Sequence, residues 1–169
     1  MQDNLVPMTI RLDPAVSEAL ARAALAAGQE TADYAGDIIA HNVLDEIRKT
    51  EPDAAQRLQA EIEIKAEAIA YARRFVHDNP DVDNSDITLK VFRHIRQDER
   101  LNPKYSRAIG GRPADERGNH TKARINRSLG AAIKTALRAT PRMERGKPAK
   151  VQVTGEFIFS YTPLNLPTR

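Results

Sequence analysis

Asp115, Glu116, His120 and Lys122 fall close together in "DERGNHTKAR". Carboxylate, imidazole and ammonium groups at short range are what a nuclease uses to move a proton and hold a scissile phosphate. Such chemistry needs a strand or helix to fix the groups, whereas this stretch follows Gly110-Gly111 and reads as a polar surface loop. The other histidines, His41, His77 and His94, stand at no spacing that gathers metal ligands or a triad, and the chain has no cysteine. Neither a Walker loop nor a dinucleotide fingerprint is present. In "DVDNSD", Asp81, Asp83 and Ser85 occupy positions 1, 3 and 5 of a calcium loop. Asp86, however, stands where the turn needs Gly, and Phe92 where a bidentate Glu should close the shell. These patterns predict no enzyme, no bound metal and no cofactor.

The chemistry that the sequence does offer is cationic. Residues 1–89 carry 8 Lys/Arg against 17 Asp/Glu, and residues 90–150 carry 17 against 5, so a net +3 conceals an acidic half and a basic half. This asymmetry points to a polyanion, the alternative being that the two halves match charge internally or with a second copy. Within residues 121–139, Ile125, Leu129, Ala132, Ile133 and Ala136 share one face of a helix. Arg124, Arg127, Lys134 and Arg138 fall on the opposite face. With Lys122 they form a set suited to tracking phosphates, beside Asn126, Ser128 and Thr135 as hydrogen-bonding neighbours. "PRMERGKPAK", residues 141–150, reads as a basic, turn-rich arm that orders on a polyanion.

The elements that must position these groups are mostly helical. The exception opens the chain: Met8, Ile10 and Leu12 alternate with Thr9 and Arg11 as a strand over residues 8–13, with no second strand within reach. Asp13 is a helix cap and Pro14 fits the first helical position. Val16, Leu20, Ala23, Ala24 and Ala27 then recur at helical spacing until Gly28. Thr31 caps a second helix striped by Tyr34, Ile38, Ile39, Val43 and Leu44, with Gly36 inside it. Pro52 starts a third, whose stripe of Leu58, Ile62, Ile69, Ala72 and Val76 is interrupted by Lys65. It is too short for a coiled-coil stalk and reads as a packed helix. A helix capped at Asn84 or Ser85 turns Ile87, Val91, Phe92 and Ile95 inward, and a short one over "NPKYSRAIGG" stops at the glycine pair. "VQVTGEFIFSYT" places Val151, Val153, Phe157, Phe159 and Tyr161 at odd positions. It reads as one continuous strand bent at Gly155, because a two-residue turn at Thr154-Gly155 would mix polar and apolar residues on one face.

Strand, helix, turn, helix in about 40 residues is too small to bury a core alone, and the lone strand leaves backbone groups unpaired on both edges. Residues 6–47 resemble the ribbon-helix-helix DNA-binding family, typified by the Arc, MetJ and CopG repressors, through "MTIRLDPAVSEAL", the turn at Gly28 and "TADYAGDII". The resemblance implies that two chains pair their strands antiparallel, that their helices interlock, and that the ribbon enters the major groove. It places Ile10, Leu12, Val16, Leu20, Tyr34, Ile38 and Ile39 in the dimer core, and turns Thr9 and Arg11 toward base edges. The backbone N–H groups at Thr31 and Ala32 would hold a phosphate. A module this acidic would need phosphate contacts from elsewhere, which the basic half can supply.

The expected fold is therefore mainly α: a ribbon-helix-helix module over 1–48, a linking helix over 49–84, and a basic, mostly helical domain with a C-terminal strand over 85–169. The expected protein is a homodimer or higher oligomer on double-stranded DNA, a repressor or autoregulator. A protein partner could add to the last strand. The competing reading is a dimeric accessory protein (antitoxin, partition or mobilisation factor) whose basic half binds nucleic acid without sequence preference, or binds a protein. With no apolar run of 18 residues and no secretory leader pattern, no membrane is involved and a cytoplasmic location is expected.

Overall fold

Asp13 opens α1 (Pro14–Ala27) as its position requires, its Oδ1 accepting from the Ala15 N–H at 2.8 Å. Gly28 ends it at φ 76°, and the Gln29 N–H returns to the Ala24 carbonyl. The computed structural model describes residues 7–114, 116 and 118–167. Within it, α2 (Thr31–Thr50) follows the short turn; its N-cap is Glu30 rather than Thr31, and no side chain caps it. Residues 8–13, expected as a strand, join no ladder and are exposed throughout. No described strand lies beside them, and backbone pairing is what would make them one.

The 27-residue α3 (Pro52–Asp78), about 40 Å long at 1.5 Å per residue, is the axis of the molecule. It packs against α2, α4 (Ile87–Gln97), α5 (Leu101–Ala108) and α6 (His120–Ala136). The single stripe expected for it is too narrow, since Ala55, Ala60, Ile64, Ala68, Ile69 and Ala72 are all buried, and small alanines let helices approach on several sides. Lys65, the expected interruption, is buried too. Its Nζ meets both oxygens of Asp37 on α2 at 2.8 and 2.9 Å, so it joins two helices instead of breaking a stripe. Around α3 the core gathers Ile87, Val91, Phe92 and Ile95 from α4, Tyr105 from α5, and Ile125, Leu129 and Ile133 from α6. Each fully buried aliphatic or aromatic chain contributes about 1.5–3 kcal/mol over its exposed state.

The C-terminal region corrects two expectations. Residues 140–165 form three two-stranded antiparallel ladders: β1 (Thr140–Pro141) pairs with β6 (Leu164–Asn165) and encloses two consecutive hairpins, β2 (Met143–Glu144) with β3 (Lys147–Pro148) and β4 (Val151–Gln152) with β5 (Ser160–Tyr161). The basic stretch 141–150 is thus a formed hairpin, turned at Arg145 and Gly146, both at positive φ (50° and 77°), the signature of a type I′ turn. Residues 151–161 are not one bent strand. They double back with Val151 opposite Tyr161, so the last strand finds its partner in its own chain. The seven-residue loop lets Phe157 and Ile158 both turn into the core, Phe157 stacking on Tyr105 at 4.8 Å.

Candidate nucleic-acid interface

Thr9 and Arg11 lie exposed on the unpaired segment before α1. Of the residues expected in a dimer core, Leu20 and Tyr34 are half-buried. Ile10, Leu12, Val16, Ile38 and Ile39 remain 39–53% exposed. Met8 and Val43 extend this row, and Gly36, where an added Cβ would meet nothing within 4 Å, stands one helical turn before Ile39 and Ala40. Of the twelve large apolar side chains exposed among the described residues, eight lie between 8 and 43. Incomplete burial is therefore a property of this unit and not of the whole molecule.

The opposite side of the same helices is firmly attached. Ala24 and Leu44 are buried, Asp37 holds Lys65, and the Gln29 side-chain amide donates to Asp37 at 2.6 Å. At the α1–α2 turn, Gly28 lies so close to α6 that a Cβ would come within 2.5 Å of the Ala136 Cβ. The Arg73 Nη2 donates to the Ala26 carbonyl at 3.0 Å and its Nε to the Ala136 carbonyl at 3.5 Å, tying the ends of α1 and α6 to α3. Thr135 donates to the Glu30 carboxylate at 3.2 Å. The start of α2, with Thr31 and Ala32 exposed, is thereby seated beside the end of α6, next to Lys134 and Arg138. No spacing in the sequence reveals this neighbourhood, since more than 100 residues separate its two sides.

The basic half divides into two populations. Lys90, Arg93, Arg96, Arg100, Lys104, Arg112 and Arg124 are each ion-paired; Arg124 grips Glu61 of α3 with two bonds of 2.6 and 2.8 Å, and Lys104 reaches Glu63 at 2.5 Å. The Lys104 hydrogen bond, with Gln59 second, holds the Glu63 carboxyl below its ordinary range. Arg93 and Arg96 hold Glu156, and Arg96 also donates to the Gly155 carbonyl, fastening the 153–159 loop to α4. Lys122 is 3% exposed with its Nζ 4.5 Å from the Phe159 ring centroid, so it is not presented to a phosphate. It stands three residues before Ile125, on the buried stripe of α6, which accounts for its position.

Arg107, Arg127, Lys134, Arg138, Arg142, Arg145, Lys147 and Lys150 form the second population. None has a carboxylate within ion-pairing distance among the described residues. Three of the five α6-region cations expected to meet phosphate are in this set: Arg127, Lys134 and Arg138. Sequence reasoning chose no individual residue from the β2–β3 hairpin, although Arg-Gly at 145–146 was a turn signal. Between α6, α4 and the C-terminal strands lies a groove of about 570 Å³, with Arg127, Lys134 and Lys150 among its lining residues. Its inner wall is braced by Asn126, which accepts from the Tyr105 hydroxyl at 2.7 Å and donates to the Phe157 carbonyl at 3.2 Å. Burial pushes the Tyr105 phenol far above its ordinary value and raises Tyr161 as well, with the Asp86 charge adding to the latter.

Of the nuclease-like cluster, Asp115 lies outside the described residues, Glu116 sits 3.4 Å from Arg112, and Lys122 is buried. Compared with known proteins, the chain matches no family model, no curated protein and no solved structure. No described helix is long and apolar enough to cross a membrane.

Proposed function

We propose that the chain acts as a homodimeric DNA-binding protein of the ribbon-helix-helix kind, in which residues 8–12 of two copies pair into a ribbon. Thr9 and Arg11 then read base edges, Arg through guanine O6/N7 and Thr through its hydroxyl or methyl. The observation that carries this reading is the uncovered apolar row of residues 8–43, which continues an unpaired segment and needs an apolar counterpart. A second copy is the economical counterpart, because the row is self-complementary in kind and the orphan segment needs another of its own pattern. The packing of α6 beside the start of α2 supports the division of labour: Thr31 and Ala32 fix register, while Arg127, Lys134 and Arg138 add phosphate contacts. Repression or autoregulation is the proposed output.

The test is fluorescence anisotropy across a genomic fragment library. Arg11→Ala should erase discrimination between the preferred fragment and random duplex while retaining dimerisation. Equal selectivity of wild type and variant removes the ribbon mechanism.

One observation favours the second reading, an accessory or interaction protein that dimerises through residues 8–43 and uses its basic half without sequence preference. Much of that half's charge is spent on internal ion pairs, leaving most of the uncompensated cations among the described residues in 127–150, away from Arg11 in sequence. Under that reading Arg11→Ala changes nothing, and charge reversal at Arg127 and Lys134 abolishes binding.

A further inference from the structure

The groove beside α6 shares Arg127 and Lys134 with the phosphate contacts proposed above, but the ribbon reading leaves its apolar floor and Lys150 unused, and a small-ligand site there does not depend on the ribbon. We propose that this groove is a binding site for a small organophosphate of mononucleotide size, with the phosphate at its cationic mouth and an apolar, flat body against its floor. A volume of about 570 Å³ falls within the range typical of small-ligand sites, roughly 300–1,000 Å³. Its floor is apolar, built from Phe92, Ile158 and Leu164, all buried. Arg127, Lys134 and Lys150 line it, no Asp or Glu does, and none of the three cations is ion-paired among the described residues.

Three cations lining one groove exceed what a single carboxylate would neutralise. A phosphate monoester carries roughly −1.5 to −2 at pH 7 and presents three acceptor oxygens, which fits this arrangement better. Ser160 and Thr162 add hydroxyls that can meet a sugar or a base edge. Gly130 points to the same use. An interior helical Gly costs about 1 kcal/mol relative to Ala, yet a Cβ there would touch nothing within 4 Å. Packing against the protein therefore does not require the glycine, and its missing side chain leaves the groove wall flat. The bonds of Asn126 to Tyr105 and Phe157 hold this wall in place before any ligand arrives.

Isothermal titration of the full chain with adenosine 5′-monophosphate, adenosine and inorganic phosphate at 0.15 M salt tests the site. Expected is saturable one-site binding of the monophosphate, at least tenfold tighter than either fragment. Gly130→Leu, which fills the groove while favouring the helix, and Lys134→Glu should each weaken it at least tenfold. Arg145→Glu, at the hairpin tip and not among the groove's lining residues, should stay within twofold. Absence of saturable binding, phosphate alone binding as tightly as the nucleotide, or binding only of oligonucleotides overturns the proposal. So does wild-type affinity in Gly130→Leu; should that variant not fold, wild-type affinity in Lys134→Glu overturns it instead.

Discussion

Residues 8–43 leave apolar side chains uncovered, whereas residues 127–150 leave cations uncovered, and the two regions meet where Gly28 packs on Ala136. An exposed cation is at no disadvantage in water, so the second region is complete as it stands and only becomes useful to an anion. An exposed row of Ile, Val, Leu and Met is different, because each side chain forgoes part of the about 1.5–3 kcal/mol that full burial gives. On the proposed reading, the contrast separates a surface that gains stability from a partner from one that needs none. It also explains why α1 and α2 are clamped on one side by Lys65 and Arg73: a fixed inner face holds the outer face ready.

The contrast breaks most readily at the apolar row. Ile38→Asp with Ile39→Asp should weaken self-association at least 100-fold in sedimentation equilibrium while leaving the helical circular dichroism of the single chain intact, since both side chains are already exposed. Next in size is the clamp. Asp37→Ala strands the Lys65 ammonium in a buried position and should lower unfolding free energy on the order of 2 kcal/mol in urea, with Lys65→Met added to the same chain restoring much of it. Gly28→Ala should also cost about 2 kcal/mol, from left-handed backbone and from collision with Ala136. On the charged side, Arg145→Gln and Lys147→Gln should leave stability unchanged and each reduce the slope of log affinity for duplex against log salt by about 1 if they touch phosphate.

The smallest effect is acid sensitivity. The carboxyls of Glu63, Asp83 and Asp98 are all lowered: by the Lys104 hydrogen bond for Glu63, the Ser85 backbone hydrogen bond for Asp83 and the Arg100 hydrogen bond for Asp98. A lowered folded pKa gives stability that is fully present above the ordinary carboxylate value and is lost as pH falls through the folded value. The urea midpoint should therefore be flat from pH 7 to about pH 5 and decline below pH 4.

How far the sequence could be read followed the range of the interactions involved. The limits of α1 were legible because Asp13, Pro14 and Gly28 act on their own neighbours. The inward set Ile87, Val91, Phe92 and Ile95 was legible because a helix converts spacing directly into a face. Lys65 was misjudged because its partner is 28 residues away. The pairing of Arg124 with Glu61, 63 residues apart, hid which cations were already neutralised. The β4–β5 hairpin escaped because its loop turns two consecutive residues, Phe157 and Ile158, into the core, and period-2 patterning cannot represent that. The groove was invisible for the same reason, its walls coming from α4, α6 and four strands.

The central claim is that residues 8–12 form a ladder only between copies. Hydrogen exchange of the backbone amides at Met8, Ile10 and Leu12, followed over a dilution series, measures this directly. Protection should appear at these residues in the same concentration range in which sedimentation detects the dimer, and should vanish on dilution. Amides that exchange freely at every concentration, or that stay protected in the monomer, would contradict the account.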